Sequence, residues 1–114
     1  MPEFGIREEP LENGIVLMFL SGFLDAHTFE ELEDAVGRKF TEGNYKLIVD
    51  MAKVDYISSA GAGVFIWAHT ESQENGGDVI VLNPTKGVKQ VFELLGLIHI
   101  FRVARTRDEA LAAF

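Results

Sequence analysis

No cysteine occurs anywhere in the chain, so disulfide bridges, thiol nucleophiles and thiolate metal sites are excluded, and a reducing compartment is compatible with the composition. Basic residues are in deficit. Ten Lys and Arg stand against 18 Asp and Glu, a formal net charge of −8 with a pI near 4.7. A phosphate-backbone ligand needs a basic face, so direct nucleic-acid binding is not expected, and a protein partner with a basic patch suits the charge better. No apolar run approaches the roughly 18 residues of a membrane span, and MPEFGIREEP has no basic segment leading into an apolar one. The expectation is a cytoplasmic protein without membrane insertion. Histidine is scarce as well: His27, His69 and His99 fall on different segments without ligand spacing, so no metal is expected, and each reads as a surface or capping residue. What remains, 47% hydrophobic and 25% charged over 114 residues, suits one globular domain over 1–114.

Strand-like and helix-like segments alternate without a linker or repeat. FGIRE (4–8) and GIVLMFLSG (14–22) flank EPLENG, whose Asn13-Gly14 pair is a hairpin signal, so an antiparallel pair is expected at the start. Phe29, Leu32, Val36 and Phe40 recur at helical spacing; Thr28 with Glu31 has the capping-box pattern, and Gly43 is placed to end that helix. YKLIVDM (45–51) and DVIVLN (78–83) are short, apolar and β-branched, as buried parallel strands are. Between them an apolar helix runs to about Glu74 and stops at NGG (75–77). Val88, Val91, Phe92 and Leu95 mark a third helix closed by Gly96, LIHIFRV (97–103) reads as the last strand, and Thr106 with Glu109 opens a short helix with Ala110, Leu111 and Phe114 as its apolar face. The pattern predicts an α/β fold: a mixed, mostly parallel sheet of four to five strands with about four helices and right-handed crossovers.

In open α/β sheets the loops at the carboxyl ends of the strands form the ligand or partner face. Two such loops carry small polar residues here, SGFLDAHT (21–28) and DYISSAGAG (55–63). The second places Ser58 and Ser59 at or beside the cap of the second helix, where backbone N–H groups lack partners and the dipole is positive, so a phosphate there would be partly stabilised. One hydroxyl satisfies one cap; two exceed that need. Gly61 and Gly63 read as glycines for a tight turn and a close helix–sheet contact. SSAGAG has neither the Lys-Ser/Thr ending of a phosphate-binding loop nor the GxGxxG spacing of a dinucleotide fold, and Ser59 has no assignable base or flanking glycine elbow for hydrolysis. Phe65 and Trp67 sit in an apolar helix, where core packing is the default and a partner anchor the alternative.

The runs YISSAGAGVFIWA, SGFLDAHT, KLIVDMAKVDYI, PTKGVKQVFELLGL and IFRVARTRDEAL together resemble the STAS domain, the sulphate transporter and anti-sigma factor antagonist domain, over practically the whole chain. Stand-alone members of that kind are anti-anti-sigma factors: unphosphorylated, they bind a serine-kinase anti-sigma factor; phosphorylated, they let go. The resemblance implies a non-enzymatic binding module without cofactor, a monomer or weak homodimer, whose partners are an anti-sigma kinase and a serine phosphatase. Aligned on Gly61, the family's phosphoacceptor is Ser59, with Ser58 as the neighbouring alternative. The partner-binding residues it implies are Asp25, Ser58, Ser59, Gly61 and Gly63. Many members carry aspartate immediately before the acceptor; this chain has Ser58. Asp55 reads as a solvated loop acid, and Asp25 either meets the partner or braces the first helix. The alternative within the same resemblance is a scaffold or accessory subunit, of a stress-signalling complex or a transporter ATPase, without serine phosphorylation.

Overall fold

Five strands pair in sequence order, because every connection after the first hairpin is a helix that returns the chain to the adjacent position. The computed structural model describes residues 3–114. β1 (Gly5–Pro10) pairs antiparallel with β2 (Ile15–Leu24); β2, β3 (Lys46–Ile57), β4 (Asp78–Leu82) and β5 (Arg102–Ala104) are mutually parallel. The turn between β1 and β2 uses the expected pair: Asn13 and Gly14 adopt φ of 61° and 74°, which glycine accepts freely and asparagine better than most residues. Pro10 is tolerated because β1 is an edge strand.

The helices are α1 (Phe29–Thr41), α2 (Ser59–Glu74), α3 (Lys86–Leu94) and α4 (Arg107–Ala112). Both sheet faces are buried, which is why β3 and β4 read as unbroken apolar runs rather than alternations. Val16, Met18, Leu20, Leu47, Val49, Val79 and Val81 face α1, α2 and α3, where Leu32, Val36, Phe65, Ala68, Val88 and Phe92 close the core. Ile15, Leu17, Ile48, Ile80 and Leu82 face the other way, covered by α4 through Ala110. Among the described residues no helix is long and apolar enough to cross a membrane.

Four local expectations are corrected. Thr28 does not cap α1 through a capping box: its ψ of −13° takes the hydroxyl away from the helical N–H groups, and it donates to Phe23 O at 2.7 Å and accepts from Asp25 N at 2.9 Å. Residues 97–101 are not strand. Gly96, at φ 72°, ends α3 in a left-handed turn whose Leu97 N donates to Phe92 O at 2.7 Å, and Leu97 and Phe101, four apart, are both buried as a helical turn requires. Phe101 completes a cluster with Phe65 and Phe92 at centroid distances of 6.1 and 5.4 Å, leaving only Arg102–Ala104 to pair with β4. Phe114 lies beyond α4 and is 38% exposed, so Ala110 and Leu111 carry that helix's packing. His69 is neither a surface nor a capping residue: its ring meets the edge of Phe101, and its buried Nδ1 stands 3.6 Å from Asp78 Oδ1. The cap that Thr106 was expected to make is present, accepting from Glu109 N at 3.1 Å.

Candidate functional site

β3 pairs with β4 only as far as Asp50, then runs seven residues further alongside β2 alone. Two register irregularities, between Phe19 and Ser21 and between Gly22 and Phe23, twist this extension; β1 flanks β2 as far as Ser21, and beyond it residues 22–24 and 54–57 pair as a two-stranded tongue at the carboxyl end of the sheet. Thr85, the cap of α3, steadies it by donating its hydroxyl to Val54 O at 3.0 Å. The stretch expected as a loop from Asp55 to Gly63 is therefore strand to Ile57 and helix from Ser59, with Ser58 alone as the connection. Asp55 is an exposed strand residue at a bulge, where Gly22 opposes Val54 and Phe23 opposes Tyr56, and not a loop acid.

The two serines are differently employed. Ser58, in extended conformation at φ −94° and ψ 173°, accepts from Gly61 N at 3.3 Å through its hydroxyl and donates its own N–H to Leu24 O at 2.9 Å, so it caps α2 and ties it to the tongue. Ser59 is the first helical residue; it is exposed, and its hydroxyl joins no hydrogen bond among the described residues. The first turn of α2 carries no acidic side chain, so its positive dipole end is uncompensated.

The glycines also divide. At Gly61 a Cβ would lie 2.8 Å from both Leu24 Cγ and Leu24 O and 3.1 Å from Ile57 Cγ1, so only glycine lets α2 press onto the tongue. Gly63 meets nothing within 4 Å, so the close-contact role expected for both holds for Gly61 alone, and Gly63 instead presents bare helix backbone. Asp25 Oδ1 accepts from His27 N at 2.8 Å and lies 3.3 Å from the Thr28 hydroxyl, whose proton goes to Phe23 O, while Asp25 O accepts from Phe29 N at 2.9 Å. Asp25 thus braces the start of α1, and it remains partly exposed on the same carboxyl-end face as Ser59.

Of the two aromatic anchors considered, Phe65 is buried and Trp67 packs against Phe40 at 5.5 Å between centroids. Ile66, which no pattern in the sequence singles out, is the large apolar side chain of α2 that stays exposed, at 44%. Ser59, Gly63, Ile66 and Thr70 stand four, three and four residues apart and so form one stripe down α2. Placing the helix start at Ser59 would have revealed it.

The sequence matches the STAS domain over residues 9–110, and the chain belongs to that family. It is 30% identical over 102 residues, 90% of this chain and 88% of the relative, to BtrV of Bordetella bronchiseptica, a protein named as a candidate anti-sigma factor antagonist. Its fold is similar to that of SpoIIAA, described as an anti-sigma factor antagonist and a Bacillus cell fate determinant. The TM-score is 0.83 against the unphosphorylated form, with 24% identity and coverage of 96% of this chain and 95% of that one. Against the phosphorylated form it is 0.76, with 24% identity and coverage of 96% and 98%.

Proposed function

We propose that this chain is an anti-sigma factor antagonist, a binding module and not an enzyme, whose hold on a serine-kinase anti-sigma factor is switched off by phosphate on Ser59. The observation that carries the reading is the division of labour at the head of α2: Ser58 spends its hydroxyl on the cap, and Ser59 offers its own, exposed, at an uncompensated helix N-terminus. The names of BtrV and SpoIIAA support the antagonist class.

The mechanism is interface charging. Bare backbone at Gly63 and the exposed Ile66 supply a flat contact strip that begins at Ser59. Phosphate adds about −1.5 to −2 charges at one end of that strip while the helix dipole keeps it tolerable to the folded chain. A desolvated charge mismatch in an interface costs several kcal/mol, and about 1.4 kcal/mol is tenfold in affinity. No change of fold is required. Ser58, in place of the aspartate many members carry, removes a negative charge next to the acceptor, and a serine phosphatase acting on phosphorylated Ser59 would reset the switch.

The test is a calorimetric titration of wild type, Ser59→Ala and Ser59→Asp against the cognate anti-sigma kinase, with circular dichroism as the folding control. Ser59→Ala should bind as wild type does and Ser59→Asp more weakly. Equal binding by all three, with wild type unmodified in the presence of ATP, would transfer support to a scaffold or transporter-subunit role.

A further inference from the structure

The tongue has a second side. Leu24 and Ile57 turn toward α2 and are buried under Gly61, so their strand neighbours Phe23 and Tyr56 point the opposite way, onto the sheet face that α4 covers only further down. The two rings are register partners, 6.0 Å apart between centroids and tilted by 52°. Tyr56 is 48% exposed and Phe23 half-buried. Asp55 adjoins Tyr56 in the chain at the bulge and is exposed, whereas Asp25, two residues after Phe23, gives its Oδ1 to His27 N. Lower on the same face the chain fills a similar position itself: the guanidinium of Arg7 lies 4.1 Å over the ring of Phe19. Among the described residues no such cation lies over Phe23 or Tyr56.

We propose that Phe23 and Tyr56, with the exposed Asp55 next to Tyr56 in the chain, form the seat for an arginine side chain of the anti-sigma partner, a proposal that rests on the binding function inferred above. Two tilted aromatic faces offer negative potential to a cation, and a planar guanidinium lying on one of them leaves its N–H edge free for a carboxylate such as that of Asp55. The acidity of the chain, with its net charge of −8, points to the same basic partner. Because the seat is on the side of the tongue away from α2, the partner straddles the tongue: one contact on the Ser59 strip, which phosphate disrupts, and one on the aromatic side, which gives orientation and specificity.

Two measurements decide this. In the first, the aromatic ring signals of the full chain are followed by NMR while acetyl-Arg-Arg-amide is added, with the neutral acetyl-citrulline-citrulline-amide as control. The arginine peptide should shift the Phe23 and Tyr56 signals saturably and the citrulline peptide should not, and Tyr56→Leu should abolish the effect. Equal shifts from both peptides, or shifts confined to other rings, would overturn the seat. In the second, Tyr56→Phe, which keeps the ring, should bind the anti-sigma partner as wild type does, whereas Tyr56→Leu, which keeps apolar area without a π face, should bind about three- to tenfold more weakly. Leucine equal to wild type, while Ser59→Asp still weakens binding, sinks the arginine seat and leaves the switch intact. Wild type that does not bind the anti-sigma partner sinks both the docking role and the function, and the peptide titration then reports whether the rings accept an arginine at all.

Discussion

Adding one methyl group at each of two glycines two residues apart should move stability in opposite directions. At Gly61 the new Cβ would sit 2.8 Å from a backbone oxygen and from the branch carbon of Leu24, and neither is the far end of a flexible side chain. Overpacking of this kind costs about 1–3 kcal/mol. Relief from glycine's unfolded-state entropy returns about 0.5–1 kcal/mol, so the net loss for Gly61→Ala is about 1 kcal/mol at the middle of these ranges and about 2.5 kcal/mol at most. At Gly63 nothing lies within 4 Å and the backbone is helical, so Gly63→Ala collects the gain alone, about 0.5–1 kcal/mol. With about 4 °C per kcal/mol for a domain of this size, the two variants should melt roughly 8 °C apart, one below and one above wild type. Differential scanning calorimetry of the three proteins at one concentration reads this directly. Gly61→Ala melting at or above wild type would refute the argument that α2 is pressed onto the tongue at that point.

Ser58→Ala should lower stability by about 0.5–2 kcal/mol through the lost cap, measured by urea unfolding, and should leave Ser59 open to phosphate. Asp25→Ala, which strips the acceptor from His27 N, should cost about 0.5–1.5 kcal/mol, so a melting temperature equal to wild type would contradict its bracing role. Ile66→Asp should unfold as wild type does, since the side chain is 44% exposed, yet weaken the anti-sigma partner about tenfold or more in calorimetry. The Lys39 ammonium is held above the ordinary lysine value of 10.5, chiefly by its hydrogen bond to Glu42, with burial opposing and Glu8 adding to the rise. With Glu42 and Glu8 ionised, that contribution is complete below 10.5 and fades as pH climbs past the raised value, so the stability gap between wild type and Lys39→Met should be the same at neutral and mildly alkaline pH and narrow in strongly alkaline urea titrations.

The order of elements could be read from periodicity because each has an uncomplicated environment: α1 is amphipathic, β3 and β4 are buried on both faces, and Thr106 and Gly96 punctuate as such residues do. The misreadings share a physical cause. Leu97, Ile98, Ile100 and Phe101 are apolar enough for strand, but burial of Leu97 and Phe101 in the aromatic cluster, a tertiary effect, selects a helical turn. The tongue reads as loop because Asp55 and Tyr56 break the apolar run of β3; a bulge lets both face solvent while Val54 and Ile57 stay buried. Thr28 and Glu31 fit a capping box in spacing, yet the Thr28 hydroxyl found nearer partners in Phe23 and Asp25. At the candidate site the positions of Ser58 and Ser59 were evident from the start, but their different occupations depend on one backbone conformation, that of Ser58, which no spacing rule encodes. The distinction between Gly61 and Gly63 is likewise one of neighbours brought from β2.

The central claim, that Ser59 and not Ser58 is the switch, is tested most directly by site-resolved mass spectrometry of the wild-type chain after incubation with its anti-sigma kinase and ATP. The account predicts a single phosphate on Ser59, present in Ser58→Ala and absent in Ser59→Ala. Phosphate chiefly on Ser58, or a chain that stays unmodified while bound to an active kinase, would contradict it.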